Sequence, residues 1–154
     1  MISRSALREK VFVLLFESEF NSMDEMPEQA RLYLTESLKP VDKESADYIE
    51  KRFNAVKAKQ EEADKLIAQK SSGWSIGRIG KIELSILRLA VYEIIFDDDI
   101  PDGVAINEAV NLAKKYGQDG AGAFINGILA NFAKENEEAG KDTQTVQDKR
   151  DSME

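Results

Sequence analysis

The sequence predicts an all-helical fold. Between its three prolines (Pro27, Pro40 and Pro101) and its glycine clusters, apolar residues recur at steps of three and four. No stretch alternates apolar and polar residues as a half-buried strand does. One segment, Ile82 to Phe96, has 11 apolar residues among 15, the composition of a helix buried on every side.

The elements follow in order. From about Ser3 to Phe20, Leu7, Val11, Leu14 and Leu15 form a stripe that Phe12, Val13 and Phe16 widen. A short second helix is expected from Asp24, as N-cap, to Ser37, with Pro27 tolerated in its first turn. After Pro40, Asp42 opens a long third helix reaching about Gln69. Its seam is Ile49, Phe53, Val56, Ala63 and Ile67, interrupted by Gln60, and its other faces carry mixed charge. The stretch 71–80 holds three glycines and reads as a connection from which Trp74 and Ile76 dock on the core. The fourth helix runs from about Lys81 to Asp97. A fifth, from Val104 to Tyr116, places Ile106, Val110 and Ala113 on one face, and Gly117 ends it as a C′ glycine. A sixth covers about Gly120 to Asn136, with Phe124, Ile128 and Phe132 aligned at steps of four. Residues 1–70 thus form an N-terminal helical part and 81–136 a C-terminal one. The tail 137–154, acidic and nearly without apolar residues, is expected to be disordered.

Composition limits the chemistry. The 154 residues include neither Cys nor His, so a disulfide frame, a thiolate or imidazole metal site and a His-dependent catalytic triad are all excluded. Twenty-one basic residues against 29 acidic give a net charge of −8, so the overall field does not attract polyanions. The first ten residues are polar, with no secretory pattern, and Ile82 to Phe96 is too short and too charged to cross a bilayer. The chain is expected to be soluble and cytoplasmic.

Several clusters invite a chemical reading. Asp97, Asp98, Asp99, Asp102, Gly103 and Glu108 fall between two helices, yet neither starting point gives a calcium-loop register, and a solvated acidic turn explains them. A carboxylate-dependent hydrolase has only the Asp97 to Asp102 cluster behind it. Gly120 and Gly122 open a helix but follow a helix and not a strand, so the phosphate-binding context is absent. Asn107 and Asn126, inside largely apolar helices, are expected to satisfy a neighbouring loop or helix end. Arg4, Arg8 and Lys10 form the one local basic excess, with Arg4 and Arg8 on one helical face.

The stretch from Ile86 to Gly117, with its Ile-Leu-Arg-Leu-Ala and Val-Ala-Ile-Asn-Glu-Ala blocks, is followed by Phe124-Ile125-Asn126-Gly127-Ile128-Leu129. Together these resemble the NusB family of transcription antitermination factors. Arg4-x-x-x-Arg8-Glu9, with Leu14-Leu15-Phe16-x-x-Glu19, is similar to that family's first helix. The resemblance spans roughly residues 4 to 134. It implies an all-α fold of two small helical bundles packed into one elongated domain, with no catalytic activity and no cofactor. It implies pairing with NusE, a small-subunit ribosomal protein, binding of boxA RNA in nascent ribosomal RNA transcripts, and action on the transcription elongation complex. Carried over by position, Arg4, Arg8 and Phe124 are the expected RNA-binding residues and Phe16 and Glu93 the partner-binding ones. Where the family commonly carries a dense arginine run, this chain has Ser5 and Ala6. The alternative is a helical protein-interaction module with weak or no RNA binding.

Overall fold

In the computed structural model, residues 1–71 and 73–133 are described. The helices are α1 (Arg4–Glu17), α2 (Met26–Thr35), α3 (Lys43–Ala58), α4 (Gln60–Lys70), α5 (Lys81–Phe96), α6 (Asp102–Tyr116) and α7 (121–133), with one 3₁₀ turn at Ile76–Arg78. No strand occurs among the described residues, and no helix there is long and apolar enough to cross a membrane.

α1 begins at Ser3, whose hydroxyl accepts from the Ala6 amide at 3.1 Å, and buries Leu7, Val11, Phe12, Leu14 and Leu15. α2 starts later than expected. Ser22 and Glu25 form the reciprocal Ser-x-x-Glu arrangement, with the Glu25 carboxylate accepting from the Ser22 amide at 3.2 Å. This box, not Asp24, organises the entry to the helix. Asp42 caps α3 as expected, accepting from the Ser45 amide at 3.1 Å, while the Ser45 hydroxyl accepts the Ile2 amide at 3.0 Å and ties the N-terminus down.

The long third helix is two helices. The chain breaks at Lys59 (φ −105°, ψ 7°), one residue before Gln60, where the apolar seam had its gap. The bend lets both halves of the seam reach the core: Ile49, Phe53 and Val56 from α3, Ala63 and Ile67 from α4. A straight helix over 42–69 would be about 40 Å long, further than one compact core extends.

α5 is the axis of the molecule. Everything from Leu84 to Val91 is buried, and it packs on α1, α3, α4 and α6. α6 presents Ala105, Ala109, Leu112 and Ala113 to the core, while Ile106 and Val110, expected as its inner face, sit half-buried on the flank. The alanines at steps of four let α6 approach α5 closely, which larger residues would prevent. In α7 the buried set is Ala121, Ile125, Ile128, Leu129 and Phe132, so Phe124 lies at the margin of the stripe. In the connection, Ile76 packs on the core but Trp74 is 48% exposed. Asn107 and Asn126 are both exposed, and neither side chain hydrogen-bonds a helix end or loop among the described residues. The expected disordered tail lies outside the described residues.

Gly117 closes α6 for a steric reason. Its φ is −86°, so no left-handed conformation is involved, but a Cβ there would lie 2.6 Å from the Ala121 Cβ and 2.7 Å from the Ala113 carbonyl oxygen. Gly120, three residues further on, does adopt a positive φ of 86°. Gly117→Ala is expected to force α6 and α7 apart and lower unfolding stability by about 1–3 kcal/mol. A urea titration showing an unchanged midpoint would refute the close approach.

Candidate functional site

α1 runs antiparallel to α5, and its polar residues determine what it can offer outside. The Arg8 guanidinium donates to the Glu93 carboxylate at 2.8 Å and lies 3.7 Å from Glu108 on α6. The Ser5 hydroxyl donates to Glu108 at 2.5 Å. One turn on, Glu9 accepts from Lys115 at 2.6 Å and from the Tyr116 hydroxyl at 2.5 Å, with the Phe12 ring against Tyr116. Beyond its last turn, Glu19 pairs with Arg88 of α5, which also makes a two-pronged contact with Asp64 of α4 at 2.8 and 2.9 Å.

Two expected site residues are therefore partners of each other. Glu93, assigned by position to a partner-facing surface, is only 3% exposed and its carboxylate is taken by Arg8. Arg8, assigned to RNA, has a side chain 11% exposed and is directed inward. Glu93 sits in the core because it is the counter-ion of an α1 arginine, a pairing across 85 residues of sequence. Arg4 is exposed and remains available.

Burial pushes the Glu93 carboxyl above its ordinary pKa, and the Arg8 hydrogen bond opposes this without reversing it. Glu9 goes the other way. Burial raises it, but hydrogen bonds from Lys115 and Tyr116 outweigh that and hold it low. The Tyr116 hydroxyl, partly buried and facing Glu9, is pushed up to about 12.

Beside Arg8, a cavity of about 240 Å³ is lined by Arg4, Tyr48, Arg52 and Asp97 among others. Its charges are mostly matched, since Arg52 donates to Asp97 at 2.6 Å while Arg8 holds Glu93. Asp97 is thus an ion-pair partner, while Asp98 and Asp99 face solvent as expected. No cluster of three metal-ligating side chains occurs among the described residues.

The second concavity, about 670 Å³, lies at the other end of α1. Phe16 and Phe124, expected on a protein-binding and an RNA-binding surface respectively, line this same groove. Phe16 comes from the last turn of α1, where the Phe20 ring packs edge-on at 5.2 Å, and Phe124 from the first turn of α7. The further lining residues that sequence reasoning missed include Trp74, edge-on to Phe124 at 5.8 Å, and the charged Arg78, Lys81, Glu83 and Asp119. The Lys81 ammonium lies 4.5 Å above the Phe20 ring. Glu83 turns inward, its carboxylate filling the space a Cβ would take at Gly80 and approaching Gly117. The run from Trp74 to Lys81, with aromatic and basic residues interleaved, was the available signal.

Comparisons with known proteins bear on the chain as a whole. The NusB family model matches residues 5–134. The chain is similar to a transcription antitermination protein NusB from Agathobacter rectalis, 51% identical over 132 residues, covering 86% of this chain and all of that one. Among solved structures it is similar to NusB of T. maritima, with 34% identity, a TM-score of 0.76 and coverage of 87% of this chain and 92% of the other. It is also similar to a chain in the crystal structure of the antitermination factors NusB and NusE in complex with dsRNA, with 28% identity, a TM-score of 0.71 and coverage of 85% and 96%.

Two outcomes follow from the charges around α1. Glu93→Lys would set a second cation against Arg8 in the core, and is expected to cost about 3–5 kcal/mol, lowering the melting temperature whether or not a partner is present. A variant that melts like the wild type would return Glu93 to the surface. Because the Glu9 pKa is depressed in the folded state, its stabilisation is present above the ordinary glutamate value and disappears as pH falls through the folded one. Tyr116→Phe removes part of that depression. It is expected to cost about 1 kcal/mol at neutral pH, with the deficit shrinking below about pH 4, as paired urea titrations would read.

Proposed function

The chain belongs to the NusB family, and on that premise we propose that it is a cytoplasmic transcription antitermination factor. In this reading it pairs with NusE, binds the boxA segment of nascent ribosomal RNA transcripts and acts on the transcription elongation complex, without catalysing a reaction or holding a cofactor. The observation that carries it is the shared groove, in which Phe16 and Phe124 lie on facing elements. Protein and RNA then meet on one continuous surface along α1, and each completes the site of the other.

The roles divide by accessibility. Arg4, exposed at the start of α1, contacts phosphate. Arg8 is a positioning residue, because its pair with Glu93 fixes the orientation of α1 and hence of Arg4 and Phe16. Glu93 serves partner binding only through that pair. Phe16 contributes apolar surface to NusE, and Phe124 offers a ring to an unpaired base, the usual way single-stranded RNA is read. An acidic chain needs help with a polyanion, and a basic partner supplies it while docking by charge complementarity.

The engaged state of Arg8 favours a second reading, an interaction module that pairs with NusE and binds RNA weakly or not at all. One titration separates the two. Fluorescence anisotropy of a boxA oligonucleotide is followed with the chain, with NusE and with both, against a scrambled oligonucleotide. The first reading expects the three-component complex to be tightest and sequence-selective. Arg4→Ala should then weaken it and flatten the salt dependence by about 0.7 in log–log slope, as loss of one single-strand phosphate contact requires. NusE pairing to which RNA adds nothing would establish the module instead.

A further inference from the structure

The groove beside Phe16 contains a large ring that neither the core nor any charge pair uses. Trp74 is the sole tryptophan of the chain, stands in the connection between α4 and α5, and is 48% exposed. It is nevertheless held in place. The Trp74 carbonyl accepts from the buried Ser71 hydroxyl at 2.5 Å, its amide donates to the Ser71 carbonyl at 3.2 Å, and its ring meets Phe124 edge-on. An indole left half in water while its backbone is fixed on both sides is a preformed contact surface, and ordering it on binding costs little.

The neighbouring charges indicate the kind of occupant. Arg78 and Lys81 line the same groove as Trp74, as does Asp119, and neither cation has a carboxylate within ion-pair distance among the described residues; Lys81 instead sits over Phe20. Glu83, the acid closest in sequence, is folded back over Gly80. In a chain of net charge −8, two cations with no ion-pair partner among the described residues, in one groove with the exposed Trp74 ring and the half-buried Phe124 ring, favour an anionic occupant with flat apolar groups. Single-stranded nucleic acid has that chemistry, with phosphates for the cations and bases for the rings. At about 670 Å³ the groove falls within the range that admits small-molecule ligands, so it has room for a base.

We propose that Trp74 is a base-stacking residue, taking an unpaired base of bound single-stranded RNA beside Phe124 while Arg78 and Lys81 receive the adjoining phosphates. This rests on the RNA binding proposed above and extends it to a segment, 73–81, that the positional resemblance did not assign.

The lone indole supplies its own probe. Tryptophan emission of the full chain with NusE is followed during titration with a single-stranded boxA oligonucleotide and, separately, with the same sequence as a duplex. The Trp74→Phe chain provides the blank for emission from NusE. Stacking predicts quenching by the single strand and none by the duplex, whose bases are already stacked. Trp74→Leu should bind the single strand about tenfold more weakly, with NusE affinity and melting temperature unchanged, and Trp74→Phe should restore most of the loss. RNA bound at full affinity by Trp74→Leu, with emission unmoved in the wild type, would overturn the assignment and leave the RNA function intact. Emission that responds to NusE alone, with Trp74→Leu weakening that pairing, would also overturn it and give the groove to the protein partner. An oligonucleotide that fails to bind the wild-type complex at all would remove the proposed function and this inference together.

Discussion

Two charges buried on one helix set the arrangement of this molecule. α5 is apolar on nearly every side, yet it carries Arg88 and Glu93 into the core, five residues apart and opposite in sign. Each finds its counter-ion on the α1 segment: Glu93 takes Arg8 near the start, and Arg88 takes Glu19 just past the end. A parallel α1, or one slipped by a turn, would leave Glu93 unpaired in the core, while Arg88 would keep Asp64 of α4. Breaking such a pair costs several kcal/mol even where the intact pair adds little net stability. The apolar stripe of α1 makes it stick, and these charges decide the direction and register in which it does.

That constraint determines what α1 has left to show. Its stripe is in the core, Arg8 and Glu9 are committed to α5 and α6, and Lys10 lies 5.0 Å over the Tyr33 ring. Arg4 and the aromatic end at Phe16 and Phe20 remain. Through twelve residues at about 1.5 Å each, Arg4 and Phe16 are about 18 Å apart, a distance that a few nucleotides or one partner helix can follow. The fold therefore gives the helix a cationic tip and an aromatic tip, joined by a segment fastened to its neighbours.

The sequence made the apolar half of this legible and the polar half not. The seam Ile49, Phe53, Val56, Ala63 and Ile67 could be read because burial depends on local period, and all five are buried. The gap at Gln60 even marked where the helix bends, although nothing local said whether the chain would bend or carry the gap to the surface. Asp42 was legible as a cap because capping is a contact across three residues. Glu93 was not, since its meaning lies with an arginine 85 positions away. The same holds for α6, where small alanines face inward and larger Ile106 and Val110 do not. Hydrophobic size alone predicts the reverse, and the close approach of α5 decides it. For the candidate site, Phe16 and Phe124 were visible as separate residues, but that they line one groove is a property of how α1 and α7 meet.

A net charge of −8 makes association with a polyanion unfavourable at long range, but the range is short. Beyond about 8–10 Å at physiological ionic strength the field is largely screened, so what an approaching phosphate meets is the local arrangement. In the described surface that arrangement is uneven. Around the 240 Å³ cavity each inward guanidinium is ion-paired with a carboxylate, whereas Arg78 and Lys81, which share the groove with Glu83 and Asp119, are paired with no carboxylate of the described residues. The acidity elsewhere then works as discrimination. It penalises loose, sequence-independent contact over most of the described surface, and favours anionic ligands where unpaired cations, and at the groove rings as well, are available.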